Sequence, residues 1–529
     1  MSSLCLIFET TPHRMVVRLL RFYAALLVVL PVWTPAGAGT LPNGFNAPPE
    51  ASSGVIAGGQ SLILRLGIHE ALERALMHTA VIRTAELELQ QQEAQSRQAR
   101  HEFLPQPTFS GGLERDRASA IDSDTVFGNG NYATLGSTWK LRSGTQLAVS
   151  ESRQSFPATG LGSAGNSNVN GRVMSLSITQ PLLRGSDSNV ILLNEHQADL
   201  ALDMVRESML QTQRNVVFLC LQAYFGLEQA MQNVSLAQAA LTRAAESRSI
   251  NEALLAAGRI AAIALLQSDA DLAQAQLGLM QSEQAELVAR RQLMRVIGRD
   301  EVDPDRTNVT LTDSFTSYLP QEAPNEDKAV QDALAKRADL AIAVGTVKAN
   351  EFDVVAANDG TRNQLDLYAR LDRATESFTG SRSRQVNVSV GLTYTIPLEK
   401  SESRLTLSAA RTGLRKAEIE RADLERVARA EVSDAVRNIN SAVLQYQMAQ
   451  RTAQLAQRRL DSEVEKTRAG RSSATDLSLA QDALNQAQFQ AYQARFAIFV
   501  AELELQRVSG NILEQWHMQA IFQDASLAS

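Results

Sequence analysis

The residues able to do acid–base, nucleophilic or metal chemistry are few and dispersed. Six histidines (His13, His69, His78, His101, His196 and His517) lie far apart in a chain of 529 residues. None belongs to an H-E-x-x-H motif, and the two cysteines, Cys5 and Cys220, make no metal-ligand pair. There is no glycine-rich phosphate loop. His69 and His78 fall on a helical stretch, where a surface or packing role is the ordinary one. The pattern predicts no enzyme, no metal and no cofactor. Function must then come from the shape the elements build.

Composition says what kind of elements these are. The chain is 44% hydrophobic but only 5% aromatic, with Ala, Leu, Gln, Arg and Glu dominant, a mixture that favours long helices. No proline occurs between Pro181 and Pro304 or after Pro397, so two long tracts lack the strongest helix breaker. This argues against a doubly wound enzyme fold. The formal charge is −7 with no basic patch, so nucleic acid is not an expected partner. Residues 1–38 read as a signal peptide: Arg14, Arg18 and Arg21 precede the apolar run Phe22 to Leu30, and Ala36-Gly37-Ala38 offers a cleavage site. Met15 serves as well as Met1 as its start, and an uncleaved anchor is the alternative. Cys5 precedes the apolar run and so is not a lipid-accepting cysteine. Cys220 alone would remain after cleavage, which excludes an intramolecular disulfide.

Along the mature chain the period of the apolar residues changes several times. Residues 39–62 look extended. From Ile63 to about His101 the spacing is helical, ending at Pro105 and Pro107. Residues 106–181 are rich in Gly, Ser, Thr and Asn and alternate with period two, as at Met174, Leu176 and Ile178. Residues 190–298 return to helix, with Val217, Leu221, Tyr224, Leu227 and Met231 along a narrow coiled-coil seam. Gly258 divides this stretch into an antiparallel hairpin. Residues 299–327 read as a linker. The order then restarts: a helix over about 328–358, strands over 363–397, and a helical hairpin over 402–510 broken at Gly470. The tail, 511–529, shows no strong pattern.

The restart is a true internal repeat. Ala257-Gly258-Arg259 aligns with Ala469-Gly470-Arg471, and Arg295-Val296 before Gly298 aligns with Arg507-Val508 before Gly510. Without a gap, about 17 of the 42 positions from Ala257 to Gly298 are identical to their partners. Gln180-Pro181-Leu182 and Ile396-Pro397-Leu398 mark equivalent strand-to-helix junctions. The strands have one apolar and one polar face, as a membrane barrel requires, yet one chain has too few to close one. Lipid tolerates no unpaired edge, so copies of the chain must pair.

These motifs, with Phe103-Leu104-Pro105-Gln106 before the first strand, Leu183-Arg184-Gly185 after the strands, Arg337-Ala338-Asp339-Leu340 and Asp476-Leu477, resemble the outer-membrane efflux proteins, the TolC family. The resemblance spans about residues 63–510. It implies a mainly α fold with membrane β: a duplicated helix–strands–helical-hairpin unit, trimeric, whose outer-membrane β-barrel continues into a periplasmic α-helical barrel. It also implies a passive exit duct for tripartite efflux or type I secretion, with itself as homotrimer, a periplasmic adaptor, an inner-membrane transporter and outer-membrane lipid as partners. The Gly258-Arg259 and Gly470-Arg471 turns would be the periplasmic tip that meets the adaptor, besides capping their helices. Asp476 would stand in the entrance constriction, or else merely cap the returning helix. The family pattern needs two strands per half, whereas the first half has about four alternating runs. The expectation is four membrane strands per chain, with 131–155 as an inserted outer hairpin; six is the second choice. A soluble periplasmic coiled-coil or adaptor protein is the competing function.

Overall fold

In a computed structural model, the structure describes residues 62–118, 126–158, 167–298, 307–318, 324–378, 381–468 and 471–518. The expected signal peptide, residues 39–61 of the segment 39–62 expected to be extended, and Gly470 lie outside the described residues.

The first half opens with strand β1 (Leu62–Leu66) and helices α1 (Ile68–His78) and α2 (Ala80–His101). Four strands follow: β2 (Gln106–Ala118), β3 (Val126–Lys140), β4 (Gln146–Ala158) and β5 (Ser167–Pro181). A short α3 (Ser188–Ile191) leads to the hairpin of α4 (Leu193–Ala256) and α5 (Ala262–Val296). The second half has β6 (Thr307–Leu311), α6 (Glu326–Lys336), α7 (Ala338–Asp359), β7 (Gln364–Phe378) and β8 (Ser381–Thr395). Its hairpin is α8 (Ser401–Arg468) and α9 (Ala474–Val508), followed by α10 (Ile512–Gln515). With 64 residues, α4 is about 100 Å long at about 1.5 Å per residue.

Three expectations need correction. Residues 62–66 are a strand, not the start of a helix: β1 pairs in parallel with β6, inside the supposed linker. Five residues are too few for alternation to declare a strand, and the partner is some 245 positions away. The opening helix of each half is also two helices, broken at Thr79 and at Arg337, both extended. Each break receives the end of its own hairpin: a Cβ on Gly298 would lie 2.9 Å from that of His78, and one on Gly510 3.1 Å from that of Lys336. Lastly, β3 and β4 do not stand apart from the other strands as a separate hairpin. Apart from the β1–β6 pair, the described strands form one antiparallel sheet in the order β2-β3-β4-β5-β7-β8, with β3–β4 between β2 and β5.

Residues 511–518, the described part of the tail expected to be patternless, join the core. Trp516 and Met518 are buried with Tyr224, Phe225, Phe315 and Phe499. The ring of Phe225 packs edge-on to Phe499 at 4.6 Å, and Phe315 lies edge-on to Tyr492 and Phe496 at 5.6 and 5.4 Å. Scarce aromatics are thus gathered where β1, β6, the 3-10 turn Phe315–Tyr318 and the tail clasp the helices. Polar bonds hold this clasp. Tyr224 donates its hydroxyl to the Leu66 carbonyl at 2.9 Å, Asp313 accepts from the Ile68 amide at 3.0 Å, and Glu228 accepts from the Phe315 amide at 2.9 Å. Cys220 is buried here, and burial pushes its thiol up to about 12, which leaves it inert.

Candidate duct: the sheet, the junction and the tip

The sheet separates its side chains by chemistry across its whole width. The register sets Pro107, Ser137, Val149, Leu176, Leu371 and Val388 in one row, and Phe109, Leu135, Glu151, Met174, Arg373 and Val386 in the next. Towards the helices the same face continues with Trp139, Leu147, Ile178, Ala369 and Val390. The opposite face reads Gln106, Thr138, Ala148, Ser177, Arg370 and Ser389, then Thr108, Gly136, Ser150, Ser175, Asp372 and Asn387. All six strands therefore present apolar residues to one side and polar ones to the other, with β3–β4 in phase with the rest. From Leu365 to Leu371 the apolar band covers about 20 Å along the strand, or about 16 Å at a tilt of ~40°. The edges are open. Phe109 and Leu113 on β2 are 75% and 91% exposed, and Val388 and Val390 on β8 71% and 70%, whereas Leu135 and Leu371 inside the sheet are near 40%.

At the strand-to-helix junction the apolar band ends in an ionic layer. Lys140 pairs with Glu102 at 2.6 Å, and the nearly buried Glu195 with Arg142 at 2.9 Å. The Lys140 hydrogen bond holds the Glu102 carboxyl below its usual range. Pro181 is the last residue of β5, where the ladder can spare an N–H, and Pro397 follows the end of β8. The chain then turns at Gly185, φ +75°, whose amide donates to buried Asp359 at 2.8 Å.

The tip lies at the far end of the hairpins. Gly258 has φ +70°; its amide bonds the Leu255 carbonyl at 2.8 Å and the Arg259 amide bonds that of Leu254 at 2.9 Å, a Schellman closure. The second turn repeats the outer bond, Arg471 N to Lys466 O at 2.8 Å. Gly258, Arg259 and Arg471 are all exposed. Sequence reading missed that exposed apolar residues adjoin this end: Ile263 is 74% and Leu266 66% exposed on α5. Asp476 is exposed and completes a capping box: Ser473 Oγ accepts from the Asp476 amide at 3.1 Å, and Asp476 Oδ2 accepts from the Ser473 amide at 3.4 Å and also from its hydroxyl at 2.6 Å. That hydroxyl bond lowers the Asp476 pKa, so the carboxylate keeps its charge. Cap and charge coexist at one residue. Deeper in, Arg243 of α4 donates to Asn485 of α9 and joins the two hairpins. The pKa of Asp482 on α9 is raised, first by partial desolvation of its carboxyl and then by the charge of Asp271 on α5.

Among the described residues no cluster of His, Cys, Asp or Glu is arranged to hold a metal ion, and no helix is long and apolar enough to cross a membrane. The sheet is the element with a lipid-compatible face.

Comparison with known proteins agrees with this architecture. The model of the family described as outer membrane efflux protein matches residues 71–299 and 329–511. No curated protein matches significantly by sequence. Among solved structures, the Campylobacter jejuni CmeC outer membrane channel is similar with a TM-score of 0.64 at 16% identity, over 84% of this chain and 85% of that one. The Vibrio cholerae outer membrane protein VceC gives 0.61 at 16%, over 84% and 96%. The open-state Neisseria gonorrhoeae MtrE outer membrane channel gives 0.62 at 15%, over 84% and 89%. At such identities the neighbours speak for the fold, while the family match covers most of the chain and sets aside a soluble adaptor. The chain belongs to the outer membrane efflux protein family, and its work is that of an outer-membrane efflux duct.

Proposed function

We propose that three copies close one continuous duct, a β-barrel in the outer membrane leading into a helical barrel in the periplasm. The observation that carries this reading is the six-stranded sheet with an apolar face and two open edges. In lipid those edges must be paired. β2 and β8 run in opposite directions, so β8 of one copy can extend the antiparallel order onto β2 of the next. Exposed apolar residues along α8, among them Ile419, Leu444, Met448 and Leu455, give the helical part its own surface for a neighbour. Three copies would bring together eighteen strands rather than twelve. At ~4.8 Å between strands and ~40° of tilt, that is a barrel about 36 Å across instead of about 24 Å.

The polar face then lines the lumen and the duct conducts passively. The Gly258-Arg259 and Gly470-Arg471 tip, with Ile263 and Leu266 beside it, would dock a periplasmic adaptor that couples to an inner-membrane transporter, in tripartite efflux or type I secretion. Asp476 would add a ring of negative charge near the entrance. The test is biochemical: the full-length protein should require detergent, migrate as a heat-modifiable trimer from the outer-membrane fraction, and conduct in planar bilayers. Recovery as a soluble periplasmic monomer would refute it. Photocrosslinkers at Arg259 and Arg471 should capture the adaptor; capture only from positions near the junction would refute the tip assignment.

A further inference from the structure

Beyond the apolar band, on the end of the sheet away from the helices, the same face turns basic. The next row reads Gly111, Ala133, Arg153, Arg172, Thr375 and Arg384; Arg373 stands one row below and Arg382 one row above. Among the described residues of these three rows the only carboxylate is Glu151, beside five guanidinium groups. Glu151 is bound by Arg153 at 2.8 Å and Arg172 at 2.9 Å. Arg373, Arg382 and Arg384 form no ion pair among the described residues and are exposed. The polar face behaves differently: its Arg370 is neutralised by Asp372 at 2.7 Å.

Hydrocarbon does not solvate charge, so this row marks the level where lipid tails give way to headgroups. A guanidinium at that level without a protein carboxylate is matched by an oxyanion, and phosphate takes its fork of donors two at a time. With the helices on the periplasmic side, a placement that rests on the duct reading above, the belt faces the outer leaflet. We propose that Arg153, Arg172, Arg373, Arg382 and Arg384 form a binding belt for the phosphate groups of anionic lipid headgroups there. The commitment is to lipid rather than free phosphate, because the belt is continuous with the apolar face that acyl chains would cover.

The test is native mass spectrometry of the full-length protein in neutral detergent, with diphosphoryl lipid A and its dephosphorylated form as probes. The wild-type trimer should retain the phosphorylated lipid about tenfold better. Arg373→Gln combined with Arg384→Gln should remove most of that preference, and Arg370→Gln on the other face should leave it intact. Equal retention of the two lipids, or an unaltered preference in the double variant, would overturn the proposal. So would complete displacement by inorganic pyrophosphate, which would show that no lipid is needed. The same spectrum reports subunit number: a monomer refutes the closed barrel, while a trimer indifferent to phosphate refutes the belt alone.

Discussion

Replacing Val149 with arginine decides whether β3–β4 belongs to the membrane wall. Val149 stands between Ser137 and Leu176 in an apolar row that also holds Leu371 and Val388, one row on the helix side of Glu151 and Arg373. If that face meets lipid, an arginine there costs about 2–4 kcal/mol, and less toward the interfaces. This is roughly 30-fold to 1000-fold in the folding equilibrium of one chain, and it recurs in each copy of a trimer. The neighbouring Ser150 points to the polar face between Gly136 and Ser175, where the same arginine reaches water. The assay is reversible denaturant folding into phosphatidylcholine vesicles, read by tryptophan fluorescence and by heat-modifiable migration. Val149→Arg should shift the equilibrium by that amount and Ser150→Arg by less than about 1 kcal/mol. Equal, small effects at both positions would place the hairpin outside the bilayer and return the barrel to four strands per chain.

Three further outcomes follow from the helical part. Phe499→Ala empties the centre of the aromatic cluster, where the ring is 1% exposed, and should cost about 3–5 kcal/mol in denaturant unfolding while leaving the sheet formed. Asp482→Asn should remove a pH dependence: the raised carboxyl favours the folded state when protonated, so its contribution is full below the ordinary value of 3.8 and is lost as pH rises through the folded value. The variant should therefore be more stable than wild type at neutral pH, with the advantage vanishing in acid, as thermal melts at several pH values would register. Asp476→Asn should weaken cation block or alter conductance in single-channel recordings, and unchanged currents would leave that residue only its cap.

Much of this was legible in the sequence because it depends on short-range periodicity. The seam of Val217, Leu221 and Tyr224, the paired glycine turns and the Pro181 and Pro397 junctions are local chemistry repeated twice, and repetition makes weak signals specific. The alternation of Met174, Leu176 and Ile178 likewise declared strands with two unlike faces. The break at Thr79 was not legible, because Thr in a helical run is common; it is the docking of Gly298 on His78 that demands it. Nor was the burial of Trp516, since a short tail carries no period.

Periodicity is a property of a residue and its near neighbours, so the sequence by itself determined helix, strand and duplication. Neighbourhood in a sheet is a property of segments far apart, and it costs the chain entropy that only tertiary contacts repay. That β3–β4 lies within the sheet, in phase with its neighbours, was therefore decided by register alone: Leu147 opposite Ile178, and Ile178 opposite Ala369. The same long-range register set the apolar band and gathered the arginines of four separate strands, which no stretch of sequence holds together, at one level above it.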